Sequence, residues 1–377
     1  MLPGIIQRLE ELVLASSGAE PFEEILKLIY AKLYSEKTGK LSFQTKNIRL
    51  LFDHAKKEWP GMFDKKDVIE LSPAHLSICV KELSKIALYK TDLAIIDTAF
   101  EYLLPKSAKG SRGQYFTPRH IIAEMIEILN PKKGEYILDP ACGSGGFLLH
   151  AAQWVKNQDT ASRIYGVDLD ERMAKIAKAL VLISGFETTH IYKANSLATI
   201  KEVADNNFDV ICTNPPFGGE IRDEEILQGY ELAKNNKGER RFIVERHILF
   251  IERIIRFLRP GGRAALVVPQ GVLNNTNLAY IREWLFTKAR IIGVIGLDAN
   301  TFKPHTNVKT SLLFLQKWHG KKPVDYPVFM AVSKKSGKNL SGDYIYKIQN
   351  GKKIIDHDLG KIAQRFKKFI KKEKLNF

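Results

Sequence analysis

GEYILDPACGSGGFLLHAA, residues 134–152, carries a short apolar run, a glycine-rich turn and the start of a helical pattern in direct succession. Glycines lack a Cβ and let the backbone approach a ligand closely, and the first N–H groups of the following helix face that ligand. A cofactor is therefore expected against Asp139, Pro140, Ala141, Cys142, Gly143, Ser144, Gly145 and Gly146. A dinucleotide fingerprint would need a third glycine where Leu148 stands, and the acidic Asp139 is a poor neighbour for a pyrophosphate. The Asp139 carboxylate suits instead a cationic or amine-bearing ligand, such as the methionine portion of S-adenosylmethionine.

Outward from this turn, short β-rich runs alternate with helical ones, the pattern of a mostly parallel sheet covered by helices. Candidate strands are Tyr136–Leu138, Ile164–Val167, His190–Tyr192, Phe208–Cys212, Ala264–Val268, Ile291–Ile295 and Ser311–Leu315, with helical patterns at 119–129, 171–183, 242–258 and 277–288. The fold class is α/β. Towards the N-terminus the pattern is helical throughout: Phe22, Ile25, Leu26, Ile29 and Leu33 recur on one face, and a second periodic stretch ends at Pro105. The small, basic segment KSAKGSRGQ follows. We thus expect a helical domain over 1–105, a catalytic domain over 106–340 and a basic tail over 341–377. Leu359, Ile362, Phe366 and Phe369 give that tail an amphipathic helix, either packed on the domain or docking a partner.

The second strand ends at Asp168, where a carboxylate can accept hydrogen bonds from both hydroxyls of a ribose. Asp170, two residues on, reads equally as a helix N-cap. After the third strand, Asn195 is positioned to meet an adenine edge. The fourth strand runs into Asn214, Pro215, Pro216 and Phe217. Two prolines fix φ and remove two donors, which leaves rigid acceptors beside an aromatic face. Such a turn can hold an exocyclic amino group and draw its lone pair out of conjugation, towards a sulfonium methyl. By itself the same turn could be only a rigid bend.

The formal charge of +16 favours a phosphate polyanion as partner. Three widely spaced cysteines exclude a disulfide framework and a cysteine-based zinc site, and no metal is expected. No apolar run approaches the roughly 20 residues of a membrane span, and no basic region followed by an apolar one marks a signal peptide, so a cytoplasmic address is expected. The charged stretch 218–241 reads as a mobile loop or a solvated surface connection.

Gly113–Arg119 (GQYFTPR), Asp139–Phe147 (DPACGSGGF) and Asn214–Gly218 (NPPFG) together resemble the modification subunit of type I restriction-modification systems. The resemblance covers about residues 100–320. It implies a Rossmann-like S-adenosylmethionine-dependent sheet of about seven strands, the last antiparallel, and methylation of adenine N6 in double-stranded DNA. Gln114, Tyr115, Phe116, Thr117, Pro118 and Arg119 would close over the cofactor, Ser144 to Gly146 would contact its methionine or ribose, and Asp168 its ribose hydroxyls. Asn214 to Phe217 would hold a flipped adenine, with Phe302 a second aromatic wall or an apolar loop anchor. A specificity subunit is the implied partner, and a restriction subunit is left open. Asn195 stands where the family often has an acidic residue. Alternative readings are a protein or RNA nitrogen methyltransferase and a non-catalytic scaffold.

Overall fold

A computed structural model describes residues 2–14, 20–90, 116–156, 163–186, 190–235, 237–320, 322–375 and 377. The chain divides into two compact units, one of Met1–Lys106 with Lys175–Thr189, the other of Ser107–Ala174 with His190–Phe377.

The first unit contains α1 (Leu2–Leu14), α2 (Pro21–Thr38), α3 (Ile48–Glu58) and α4 (Pro73–Leu83). The Glu20 carboxylate caps α2 by accepting from Glu23 N at 2.8 Å, and Gly39, at φ 63°, ends it. Phe22, Ile25, Leu26, Ile29 and Leu33 are all buried, as their spacing predicts. The helix is enclosed beyond that face, so its buried charges are paired: Lys27 Nζ lies 2.6 Å from Glu24 Oε1 and donates to Val68 O. Residues 175–189 belong to this unit because Lys175 pairs with Glu23 at 3.0 Å and its carbonyl accepts from Tyr30 Oη at 2.9 Å.

The second unit begins with α5 (Arg119–Leu129), β1 (Tyr136–Asp139), α6 (Gly146–Lys156), β2 (Arg163–Asp168), the first residues of α7 (Glu171–Ile183), β3 (His190–Lys193) and β4 (Phe208–Thr213). It continues through β5 (Glu220–Ile221), α8 (Glu224–Gln228), β6 (Val244–Glu245), α9 (Arg246–Phe257), β7 (Leu258–Pro269), α10 (Gln270–Asn274) and α11 (Ala279–Lys288). Then come β8 (Ala289–Gly296), β9 (Thr310–Lys317), β10 (Phe329–Val332), the hairpin β11 (Tyr346–Gln349) and β12 (Lys352–Ile355), and α12 (Leu359–Lys372).

Eight strands form one sheet in the order β10-β8-β9-β7-β4-β1-β2-β3. All seven strands read from the sequence are present, and β9 runs antiparallel to both neighbours, β7 and β8. The eighth, β10, adds a parallel edge strand on β8. Its four residues follow Pro323 and Pro327 and alternate in exposure, too short a run to register as a strand in sequence. The central strand β4 is buried at every residue, as a parallel strand covered on both faces must be. Because β1, β2 and β4 are parallel neighbours, Asp139, Asp168 and Asn214 come out at the same edge of the sheet.

Two further elements had alternative readings. Leu359, Ile362, Ala363 and Phe366 of α12 are buried, with the Phe366 ring stacked on Phe329 at 4.5 Å and edge-on to Phe314 at 4.9 Å. The apolar face of the tail helix is thus taken up within its own unit. The stretch 218–241 is anchored rather than loose: Leu227, Tyr230, Leu232 and Ala233 are buried, and Tyr230 Oη donates to Leu197 O at 2.8 Å. Buried Glu252 of α9 accepts from Glu231 N and Leu232 N at 2.9 and 2.8 Å. No described helix is long and apolar enough to cross a membrane.

Candidate active site

The glycine-rich turn is built by its own backbone. Gly143 and Gly145 sit at φ 51° and 93°, where a side chain is disfavoured, and Gly145 N donates to Cys142 O at 2.8 Å before α6 begins at Gly146. The turn is tied to the end of β2 by two bonds, Cys142 N to Val167 O at 3.0 Å and Gly143 N to Asp168 Oδ2 at 2.9 Å. Gly166 in β2 makes this closeness possible, since a Cβ there would fall 2.6 Å from Leu148 Cδ1.

Asp139 is buried at the tip of β1, its Oδ1 accepting from Ala141 N at 3.1 Å. Burial pushes its carboxyl up to about 7, opposed by the nearby Thr213 hydroxyl and the Ala141 amide and reinforced by Asp168. Its Oδ2 is buried without a hydrogen bond of good geometry, a state that a bound ammonium would relieve. Asp168 is also buried and raised, first by desolvation, although Asp170 N and Gly143 N donate to its two oxygens. Each oxygen keeps a second lone pair, so the carboxylate can still accept from ribose hydroxyls. Asp170 caps α7, accepting from Arg172 N at 2.9 Å. Asn195 Oδ1 accepts from Leu197 N at 3.0 Å, and the Ser196 hydroxyl donates to Pro140 O at 2.5 Å, which joins the third loop to the first. Pro140 and Ala141 thus hold the turn through their backbones, while Cys142 and Ser144 are buried beneath it, the thiol pushed well above its ordinary range by desolvation.

At the end of β4, Asn214 Nδ2 donates to Thr117 Oγ1 at 3.0 Å, which fixes the orientation of the amide. Thr117, which the resemblance puts over the cofactor, also ties its segment to the Asn-Pro-Pro-Phe turn through this bond. Pro215 is buried and Pro216 half-buried. Phe217 O accepts from His247 Nδ1 at 3.2 Å, so this histidine supports the turn from α9. The Phe217 and Phe302 rings lie 6.3 Å apart at 80°. Two walls around a base need parallel rings about 7 Å apart, twice a contact distance of about 3.5 Å. In this structure the two rings pack edge to face on each other, a contact of the kind an apolar anchor makes. Phe116 and Arg119 are half-buried and Pro118 is buried just before α5; Gln114 and Tyr115 lie outside the described residues.

Residues 92–377 match the family model described as N-6 DNA Methylase. The chain is 34% identical over 226 residues to the type I restriction enzyme EcoEI methylase subunit of Escherichia coli, covering 57% of this chain and 44% of that protein. It therefore spans less than half the length of that relative. Among solved structures, it is similar to a protein of Vibrio vulnificus YJ016 described as a modification subunit of a type I restriction enzyme, with TM-score 0.56, 26% identity, and 74% and 62% of the two chains covered. The type I restriction-modification methyltransferase subunit of Streptococcus thermophilus shares the fold at TM-score 0.65 and 16% identity, over 98% of this chain and 93% of that one. With the glycine-rich turn on β1, the buried carboxylate ending β2 and Asn-Pro-Pro-Phe on β4 all at one edge of the sheet, and a family match over most of the sequence, the chain belongs to the N-6 DNA methylase family.

Proposed function

We propose that this protein transfers a methyl group to N6 of a flipped adenine in double-stranded DNA, as the modification component of a type I restriction-modification system. One observation carries the reading: Asn214, oriented by Thr117, leaves β4 at the same sheet edge as the cradle formed by Asp139, Gly143, Gly145 and Asp168. The residues present fit S-adenosylmethionine, since Asp139 Oδ2 offers a buried acceptor for its ammonium and Asp168 offers acceptors for its ribose. When bound, it supplies an electrophilic sulfonium methyl.

The remaining work falls to the chain. The Asn214 amide oxygen and the Pro215 carbonyl accept the two N6 hydrogens, which localises the nitrogen lone pair for attack. Pro215 and Pro216 keep these acceptors from rotating away, and Phe217 stacks on the base. Gln114 to Pro118, ahead of α5, and Arg119, its first residue, close over the cofactor, and Asn195 accepts from its adenine. Extraction of the base costs a few kcal/mol of unstacking. Sequence choice is delegated to a specificity subunit, and the protein acts in the cytoplasm, where its three buried thiols stay reduced.

Asn214→Ala tests the reading. With labelled S-adenosylmethionine and duplex DNA, N6-methyladenine formation should fall by about 100-fold or more while cofactor affinity is unchanged. Retained transfer removes Asn214 from the chemistry, and wild-type protein that labels no DNA, with or without a specificity subunit, removes DNA as the substrate.

A further inference from the structure

Phe242 is the most exposed aromatic side chain among the described residues, 79% accessible, and its neighbour Ile243 is 41% accessible. This exposure is not looseness, because the chain is pinned on both sides of the pair. Before it, Arg241 N donates to Ala233 O at 2.8 Å and the Arg241 guanidinium lies 4.3 Å over the Tyr280 ring. After it, Val244 is buried in β6, which pairs with β5, and Arg246 N donates to Gly219 O at 2.9 Å. A protruding phenylalanine is thereby held on a built base.

The same ladder ties it to the Asn-Pro-Pro-Phe turn. β5 begins one residue after Gly219 and pairs with β6, Glu220 opposite Glu245 and Ile221 opposite Val244, so Phe242 stands two residues before a strand paired next to that turn. Ile221, the partner of Val244, lies four residues beyond Phe217, at most about 14 Å along an extended chain. In the eight residues before Phe242 stand Lys234, Lys237, Arg240 and Arg241 against the single acidic Glu239, with Lys234, Lys237 and Arg240 exposed. An exposed apolar ring preceded by four cations, on a segment paired beside the Asn-Pro-Pro-Phe turn, is complementary to a polyanion with a gap in its stack.

We propose that Phe242 inserts into duplex DNA at the position vacated by the flipped adenine. The inference rests on the methylation reading and deepens it: insertion replaces stacking that the neighbouring bases lose, and it holds the adenine out of the helix. Arg240 and Lys237 meet the flanking phosphates.

The test compares the full chain, with a specificity subunit where transfer requires one, as wild type, Phe242→Ala and Phe242→Trp. Methyl transfer is measured on two duplexes, one with the target adenine paired to thymine, the other with it opposite an abasic site, where extrusion costs little. Phe242→Ala should lose roughly 10- to 100-fold on the paired duplex, return to within about threefold of wild type on the abasic one, and bind S-adenosylmethionine normally. Phe242→Trp should keep activity on both. Equal loss on the two duplexes, as expected if Phe242 seats a protein partner instead, overturns the proposal, and so does no loss at all. Wild-type protein that methylates neither duplex overturns the methylation reading itself, and the insertion with it.

Discussion

At the scale of single residues, the site is governed by buried carboxylates whose charge a ligand must stabilise. Asp139 is pushed up to about 7 by burial, so below that pH it is neutral and above it anionic. A bound ammonium favours the anion and lowers this pKa in the complex, so S-adenosylmethionine should bind more tightly as pH rises from about 6 towards 8, and more weakly again once its own ammonium loses its proton. Asp139→Asn should weaken binding and flatten that dependence; calorimetric titration across the range checks both, and a wild-type affinity independent of pH would detach Asp139 from the ammonium. That Asp139, Asp168 and Asn214 stand at strand ends on one edge of the sheet was legible, because strand ends followed by Gly, Asp or Asn-Pro-Pro stand out in a linear pattern. Thr117 and His247 were not legible in their roles. Thr117 lies 97 positions from Asn214 and His247 lies 30 from Phe217, and nothing local in the sequence links them.

Elements show the same division. The strands and the helices at 119–129 and 171–183 followed from periodicity, whereas the fate of the tail helix depended on what it met. Gly293 in β8 decides that contact, for a Cβ there would sit 2.5 Å from Phe366 Cζ and 3.1 Å from Phe329 Cβ. Since Phe366 is fully buried between Phe314 and Phe329, its ring has no room to retreat. Gly293→Ala should destabilise the protein by about 1–3 kcal/mol, and Phe366→Leu in the same chain should recover part of the loss. Thermal unfolding of the two single variants and the double variant reads this directly; additive losses would mean that the two positions are not in contact.

For the whole molecule, the boundary read near residue 106 captures the change from helical to alternating pattern, and the structure adds a second crossing. Residues 175–189 are part of the N-terminal unit. A helix pattern at 171–183 carries no mark of which core receives it, since Ile176, Leu180 and Ile183 are apolar at the same spacing either way. A chain cut to residues 107–377 would expose that surface, together with Lys178, whose amine burial lowers to about 8. It should therefore aggregate or fail to bind cofactor, while adding residues 1–106 as a separate chain should restore solubility. Sedimentation of the two preparations is the check, and a monomeric, well-folded 107–377 chain would show that the second unit stands alone.

The amino-acid sequence alone determined the α/β class, the helical start, the glycine-rich turn after the first strand and the Asn-Pro-Pro-Phe element, because each is a local pattern of glycine, proline, charge or periodicity. Tertiary structure alone decided that β10 completes the sheet, that α12 spends its apolar face on Phe314 and Phe329, and that Thr117 and His247 hold the Asn-Pro-Pro-Phe turn. It alone decided also that Phe242 faces solvent. These depend on which distant surfaces meet, and packing between residues remote in the chain leaves no periodic trace in either partner.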